Sequence, residues 1–127
     1  MTAPGAAVQR RRSAERRGRR SEFAALALLA VKGFRPLARR WRSPVGELDL
    51  VVVRGNLLTF VEVKARASES SGLEAITAAQ QKRMAAAAQA WLASNPAYAR
   101  YNMRFDAVIV TPRRLPRHLP DAFRPHA

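Results

Sequence analysis

The sequence predicts an α/β domain, one mixed sheet with helices packed on it. Two apolar runs, 47–54 and 57–65, are separated by Gly55-Asn56 alone, as in a β-hairpin. A third apolar run at 101–111 follows an alanine-rich stretch at 73–94 whose length and composition are helical. Strands that flank a long helix in this way belong to one sheet with a crossover.

Each element has its own signal. Residues 1–17 lack apolar periodicity and contain a dense arginine block, so a disordered basic arm is expected there. From 21 to 32, Phe23, Leu26, Ala27, Ala30 and Val31 recur at helical spacing, and Gly33 follows as a stop. Residues 34–41 form a weaker strand, placed at an edge or a strand start by Pro36. Gly55 in first place suits a type II′ turn. The polar stretch 66–72 leads into the helix at 73–94, whose core face is read as Ile76, Ala79, Met84, Ala87 and Leu92, and Asn95-Pro96 ends it. After the 101–111 strand, four prolines mark an extended tail at 112–127. The core domain is therefore expected over 18–111, in the order αβββαβ.

Charge narrows the function. The 127 residues hold 23 Lys and Arg against 9 Asp and Glu, a net of +14. Residues 1–45 carry 12 basic and 2 acidic groups, whereas 46–110 are nearly balanced at 7 and 6. Such a field favours polyanions, nucleic acid first among them, although charge also serves solubility. The absence of cysteine excludes disulfides, thiolate zinc sites and thiol nucleophiles. The basic-then-apolar segment 16–31 imitates a signal peptide, but Glu22 sits at its junction and Lys32 ends it. That run is well short of the ~20 residues a bilayer span needs, so no membrane partner and a cytoplasmic location are expected.

The hairpin poses the chemical question. With Gly55 and Asn56 as its loop, Asp49 faces Glu62 and Glu47 faces Lys64, all on one face. Leu48, Leu50, Val61 and Val63 fall on the other. Like charges ~5 Å apart destabilise a sheet and need a shared proton, a cation or a basic neighbour. Two hard carboxylates suit Mg²⁺, and Lys64 reaches the same space, where it could assist an attacking water or a phosphate. The plain alternative is a set of solvent-facing charges with Lys64 paired to Glu47.

Four segments together resemble the YraN family of the PD-(D/E)XK nuclease superfamily, which is similar to archaeal Holliday-junction resolvases: "GELDLVVV" (46–53), "FVEVKAR" (60–66), "GRRSEFAALALLAVKGF" (18–34) and "RFDAVIV" (104–110). The resemblance implies a restriction-endonuclease-like αβββαβ core with a mixed central sheet flanked by helices. It implies Asp49 and Glu62 as ligands of Mg²⁺ or Mn²⁺, Lys64 as the catalytic lysine, Glu22 as a further acidic residue of the site and Gln81 as a supporting glutamine. Ser21 stands where the pattern has glycine, and Gln80 where it has lysine.

Arg35, Arg39, Arg40 and Arg42 precede the hairpin and are candidate phosphate contacts. Arg104 and Asp106 are spaced to pair with each other, Trp41 and Trp91 read as core or interface aromatics, and His118 and His126 show no metal-ligand spacing. The expected function is a metal-dependent endonuclease acting on DNA in preference to RNA, on branched or structured substrates, with a homodimer expected by analogy. Two other readings remain: a nucleic-acid-binding module that keeps the fold without catalysis, and a basic structural protein whose hairpin charges pair internally.

Overall fold

The computed structural model describes residues 4–67 and 76–125. Among them the order is α1 (Pro4–Val31), β1 (Arg35–Ser43), β2 (Gly46–Arg54), β3 (Leu57–Ala65), α2 (Ala78–Ser94), a single 3₁₀ turn (Pro96–Tyr98), β4 (Asn102–Val110) and β5 (Arg117–Leu119). The five strands form one mixed sheet in sequence order: β3 and β4 are parallel, and every other neighbouring pair is antiparallel. The expected α/β architecture is present, with β5 added. The expected loop and first helical turn at 68–75 lie outside the described residues, as do residues 1–3 and His126.

Three expectations are corrected. The helix begins at Pro4, so 4–17 is helical rather than a disordered arm. Alanine, glutamine and arginine are good helix formers, and no glycine or proline interrupts 6–17. The buried stripe of α1 is Ser21, Ala25 and Leu29, while Phe23 and Val31 face out. Both stripes have helical spacing, so spacing alone does not choose between them. The tail after β4 is not merely extended: β5 pairs with it, and Phe123 is buried beside Ile76, Met84 and Ala107.

The helices cover opposite faces. Ala25 and Leu29 of α1 pack on Leu50, Val52, Val61 and Val108. Ala87, Ala88 and Trp91 of α2 pack on Leu48, Val51, Leu58 and Phe60. β3 reads as a nearly continuous apolar run because it is central and buried on both sides. Gly55 takes φ 59° at the hairpin loop, as a II′ turn requires. α2 starts where Thr77 and Gln80 form a reciprocal capping box. The start of β2 tucks under α2 at Gly46, where a Cβ would lie 2.7 Å from the Arg83 carbonyl oxygen.

The last strand is locked by one buried carboxylate. Asp106 is fully buried, and Arg104 grips it through Nε at 2.7 Å and Nη2 at 2.8 Å, the pairing expected from their spacing. The backbone N–H of Asp121 donates to Oδ1 at 2.9 Å, and His118 Nε2 lies 2.6 Å from Oδ2. Lys32 Nζ lies 2.9 Å from His118 Nδ1. An ammonium can only donate, so Nδ1 accepts and Nε2–H donates to Asp106. Burial alone would push the Asp106 carboxyl up, but the His118, Arg104 and Asp121 donors hold it below the usual carboxylate range. Its stabilising effect is present above the ordinary carboxylate pKa and is lost as pH falls through the lowered folded value. Asp106→Ala strands the donors of Arg104, His118 and Asp121 and should cost about 3–5 kcal/mol in urea unfolding at pH 7, with β5 losing amide protection first.

Candidate active site

The hairpin register matches the expectation from Arg54↔Leu57 through Leu50↔Val61, where the regular pairing ends. Hydrogen-bonded and non-bonded pairs alternate in an antiparallel ladder, so Leu48 with Val63 would be the next bonded pair. Instead the N–H of Val63 donates to Asp49 Oδ2 at 2.8 Å. A side chain thus takes the place of a ladder acceptor, and the two strands part at the carboxylates.

The neighbouring strand bends at the same level. Arg39 pairs with Leu50 and Trp41 with Leu48, which leaves Arg40 across from Asp49. Arg40 takes φ 50°, an uncommon left-handed conformation for a residue with a side chain. On one side of this point Arg39 meets Phe23 of α1; on the other, Trp41 packs with the α2-side core. Leu48 follows Trp41 into that core, whereas Leu50, Val61 and Val63 belong to the α1 side. The expectation that Leu48 shares their face is therefore corrected, because the alternation is reset at Asp49.

The opened end holds a cavity of about 500 Å³, lined by Glu47, Asp49 and Glu62 from the hairpin and by Gln80, Arg83 and Met84 from α2. Asp49 is pushed up from 3.8 to about 7: burial is the main cause, and the negative charges of Glu62 and Glu22 add to it against the Val63 hydrogen bond. Lys64 Nζ lies 3.0 Å from Glu62 Oε1, with both side chains mostly buried. Lys64 is therefore paired with Glu62, not with Glu47. Glu47 instead lies 3.7 Å from Arg42, and both are well exposed.

The remaining expected residues are dispersed. Glu22 reaches the site electrostatically, but its carboxylate is held by Arg40 Nε at 2.7 and 2.8 Å. Gln81 makes a long 3.4 Å contact to the Ile76 carbonyl, and it is Gln80 that lines the cavity. Arg35 pairs with Val53, towards the turn end of the hairpin and away from the carboxylates. Arg42 pairs with Glu47, Arg40 stands across from Asp49 but is held by Glu22, and Arg39 lies over Phe23 on the α1 side. The sequence reading missed Arg83, which has no distinguishing motif, and the tail residues around Asp106; a buried aspartate in an apolar strand was the available signal for the latter. Among the described residues no cluster of three or more metal-ligating His, Cys, Asp or Glu occurs. The donor set nevertheless fits a hard cation: Asp49 and Glu62 line one cavity, and the negative charge of Glu62 acts on Asp49.

The model of the family described as "Uncharacterised protein family UPF0102" matches residues 21–110, which take in the C-terminal part of α1, all of α2 and the sheet through β4. The chain belongs to the UPF0102 family. It is the family, also called YraN, that the hairpin and first-helix motifs resemble. The chain is 53% identical over 121 residues to a UPF0102 protein of Rhodopseudomonas palustris (strain BisB18), covering 95% of this chain and 90% of that protein. A UPF0102 protein of Rhizobium etli (strain CIAT 652) is 52% identical over 113 residues, 89% of this chain and 93% of that protein. A UPF0102 protein of Methylorubrum extorquens (strain PA1) is 52% identical over 120 residues, 94% and 91% respectively. No helix among the described residues is long and apolar enough to cross a membrane.

The raised Asp49 has a thermodynamic signature in this UPF0102 chain. Because its folded pKa lies above the unfolded value of 3.8, stability falls as pH rises from about 4 to about 7 and stays reduced above that. Asp49→Asn keeps an acceptor for Val63 and removes the charge. In EDTA at pH 8 it should stabilise the fold by on the order of 1–4 kcal/mol, and the gain should vanish near pH 4. Thermal melts of both proteins across this range check it.

Proposed function

We propose that this UPF0102 protein is a metal-dependent endonuclease acting on DNA with branched or otherwise structured segments. The observation that carries the reading is the parting of β2 and β3 at Asp49, which turns two opposed carboxylates and a lysine into a cavity instead of a ladder. Asp49 and Glu62 would hold Mg²⁺ or Mn²⁺, which would supply Lewis-acid activation of a phosphodiester and of water when bound. Glu62 holds Lys64 in place, so its ammonium is available to offset charge that grows on a phosphate. The basic surface of β1 supports a polyanionic substrate: Arg42 pairs with Glu47 of the cavity lining, and Arg39 and Arg40 lie on the α1 side of the same strand. The extra proton held by Asp49 would be displaced as a cation enters.

Labelled duplex, single-stranded, flap and four-way-junction DNA incubated with Mg²⁺ or Mn²⁺ tests the reading. Wild type should cut at least one of these, and EDTA should abolish cutting. Glu62→Ala and Lys64→Ala should each lower the rate by at least about a hundredfold while DNA binding persists. Binding by all three proteins with no metal-dependent cutting would leave a non-catalytic nucleic-acid-binding protein.

A further inference from the structure

α1 presents one feature that neither the core nor the carboxylate cavity uses. Phe23 is 59% exposed, and among the described residues it is the only aromatic ring that faces solvent so openly. The Arg39 guanidinium lies over this ring, 5.2 Å from its centroid. Together with Arg19, Glu22 and Arg40, these two residues line a second cavity of about 460 Å³, on the α1 side of the sheet. An aromatic ring left in water beside guanidinium groups is costly as packing, yet it suits a ligand that has both a flat face and a negative charge.

The charges in this cavity are arranged, not merely abundant. Arg40 points its Nε at both Glu22 oxygens, which leaves the other edge of the guanidinium to bond elsewhere. Among the described residues, neither Arg19 nor Arg39 has a carboxylate partner. The cavity also has a fixed relation to the catalytic side. Arg40 stands opposite Asp49 across the β1–β2 register, and Glu22 is common to both, since it pairs with Arg40 and its charge acts on Asp49. The guanidinium-lined pocket and the Phe23 ring thus adjoin the carboxylate end of the hairpin through Glu22 and Arg40, although they open on the α1 face of the sheet.

We infer that Phe23, Arg19, Arg39 and Arg40 form a subsite for one unpaired nucleotide, its base stacked on Phe23 and its phosphate held by the arginines. The substrate then carries an unpaired segment next to the bond to be cut. A paired base has both faces covered by its neighbours and cannot stack on Phe23, so fully paired duplex gains nothing from this pocket. This inference rests on the nuclease reading of the Asp49–Glu62 cavity for its place beside the cut, but its test does not need cleavage.

The test is binding in EDTA, with a splayed duplex carrying 2-aminopurine as its first unpaired base and the same sequence fully paired. Wild type should prefer the splayed DNA and change the 2-aminopurine emission through stacking. Phe23→Leu, which keeps an apolar side chain at an exposed position, should lose that emission change and bind splayed DNA on the order of tenfold more weakly, with paired duplex unaffected. Phe23→Trp should retain both. No preference for splayed DNA in wild type, or no emission change, overturns the subsite whatever the variants do. An equal loss on both DNAs in Phe23→Leu, or a shift of oligomeric state by light scattering with DNA binding intact, overturns it as well and makes Phe23 a general or self-association contact. If splayed-DNA preference depends on Phe23 while no metal ion supports cutting of any DNA, the subsite stands and the nuclease reading falls.

Discussion

The hydrogen bond from the Val63 N–H to the Asp49 carboxylate organises this molecule's functional end. A regular hairpin would satisfy that N–H with a main-chain carbonyl and would hold Asp49 and Glu62 directly opposite each other. Taking the N–H onto a side chain spares the backbone an unsatisfied buried donor while letting the strands separate. Several other features follow from that separation. Arg40 takes its left-handed turn at the same level, Leu48 and Trp41 change face, and α2 comes down onto Gly46 to close the cavity from above. The substitution of a carboxylate for a carbonyl thus sets the shape of the site as well as its charge.

The rest of the sheet serves to keep that end rigid. β3 and β4 pair in parallel along their full lengths, and β3 carries Glu62 and Lys64 at its end. β4 would otherwise be an edge, with open backbone groups along one side. The short β5 covers it, and Asp106 ties β5 and its following turn back through His118 and Asp121. The buried Asp106 and the half-buried Asp49 therefore behave in opposite ways. Asp106 receives enough donors to remain charged, and it stabilises; Asp49 receives one backbone donor and two repelling neighbours, and it is held near neutrality. A group that only supported the fold would be expected to resemble Asp106.

The order of elements through β4 and the hairpin register down to Leu50 were legible in the sequence. They depend on local signals: a two-residue turn with glycine first, period-two alternation and apolar runs. What the sequence left open was settled by packing. Two stripes on α1 have helical spacing, and nothing local says that Ala25 and Leu29 rather than Phe23 and Val31 will meet the sheet. The change of face at Leu48 comes from strand separation, which a uniform alternation cannot express. One signal was present and overlooked: Thr77 and Gln80 stand three apart in "TAAQ", the spacing of a capping box, and they fix the start of α2 later than its composition suggests. The tail was read as extended because its prolines dominate, yet the buried Asp106 already required partners from somewhere beyond β4.

The pairing of Lys64 with Glu62 bears on the choice between catalysis and simple charge compensation. If the hairpin charges only neutralised one another, the lysine would best serve between Asp49 and Glu62, or Asp49 would take a basic neighbour of its own. Arg40 stands opposite Asp49 and could do so, but Glu22 holds it on the α1 side. Glu22 thereby keeps a cation from the carboxylate that most needs one and adds its own negative charge to the same point. Internal compensation is thus incomplete at Asp49, since Lys64 pairs with Glu62 and Arg40 with Glu22. A site arranged in this way favours an added positive charge at Asp49, whether a proton or the divalent cation of the proposed function.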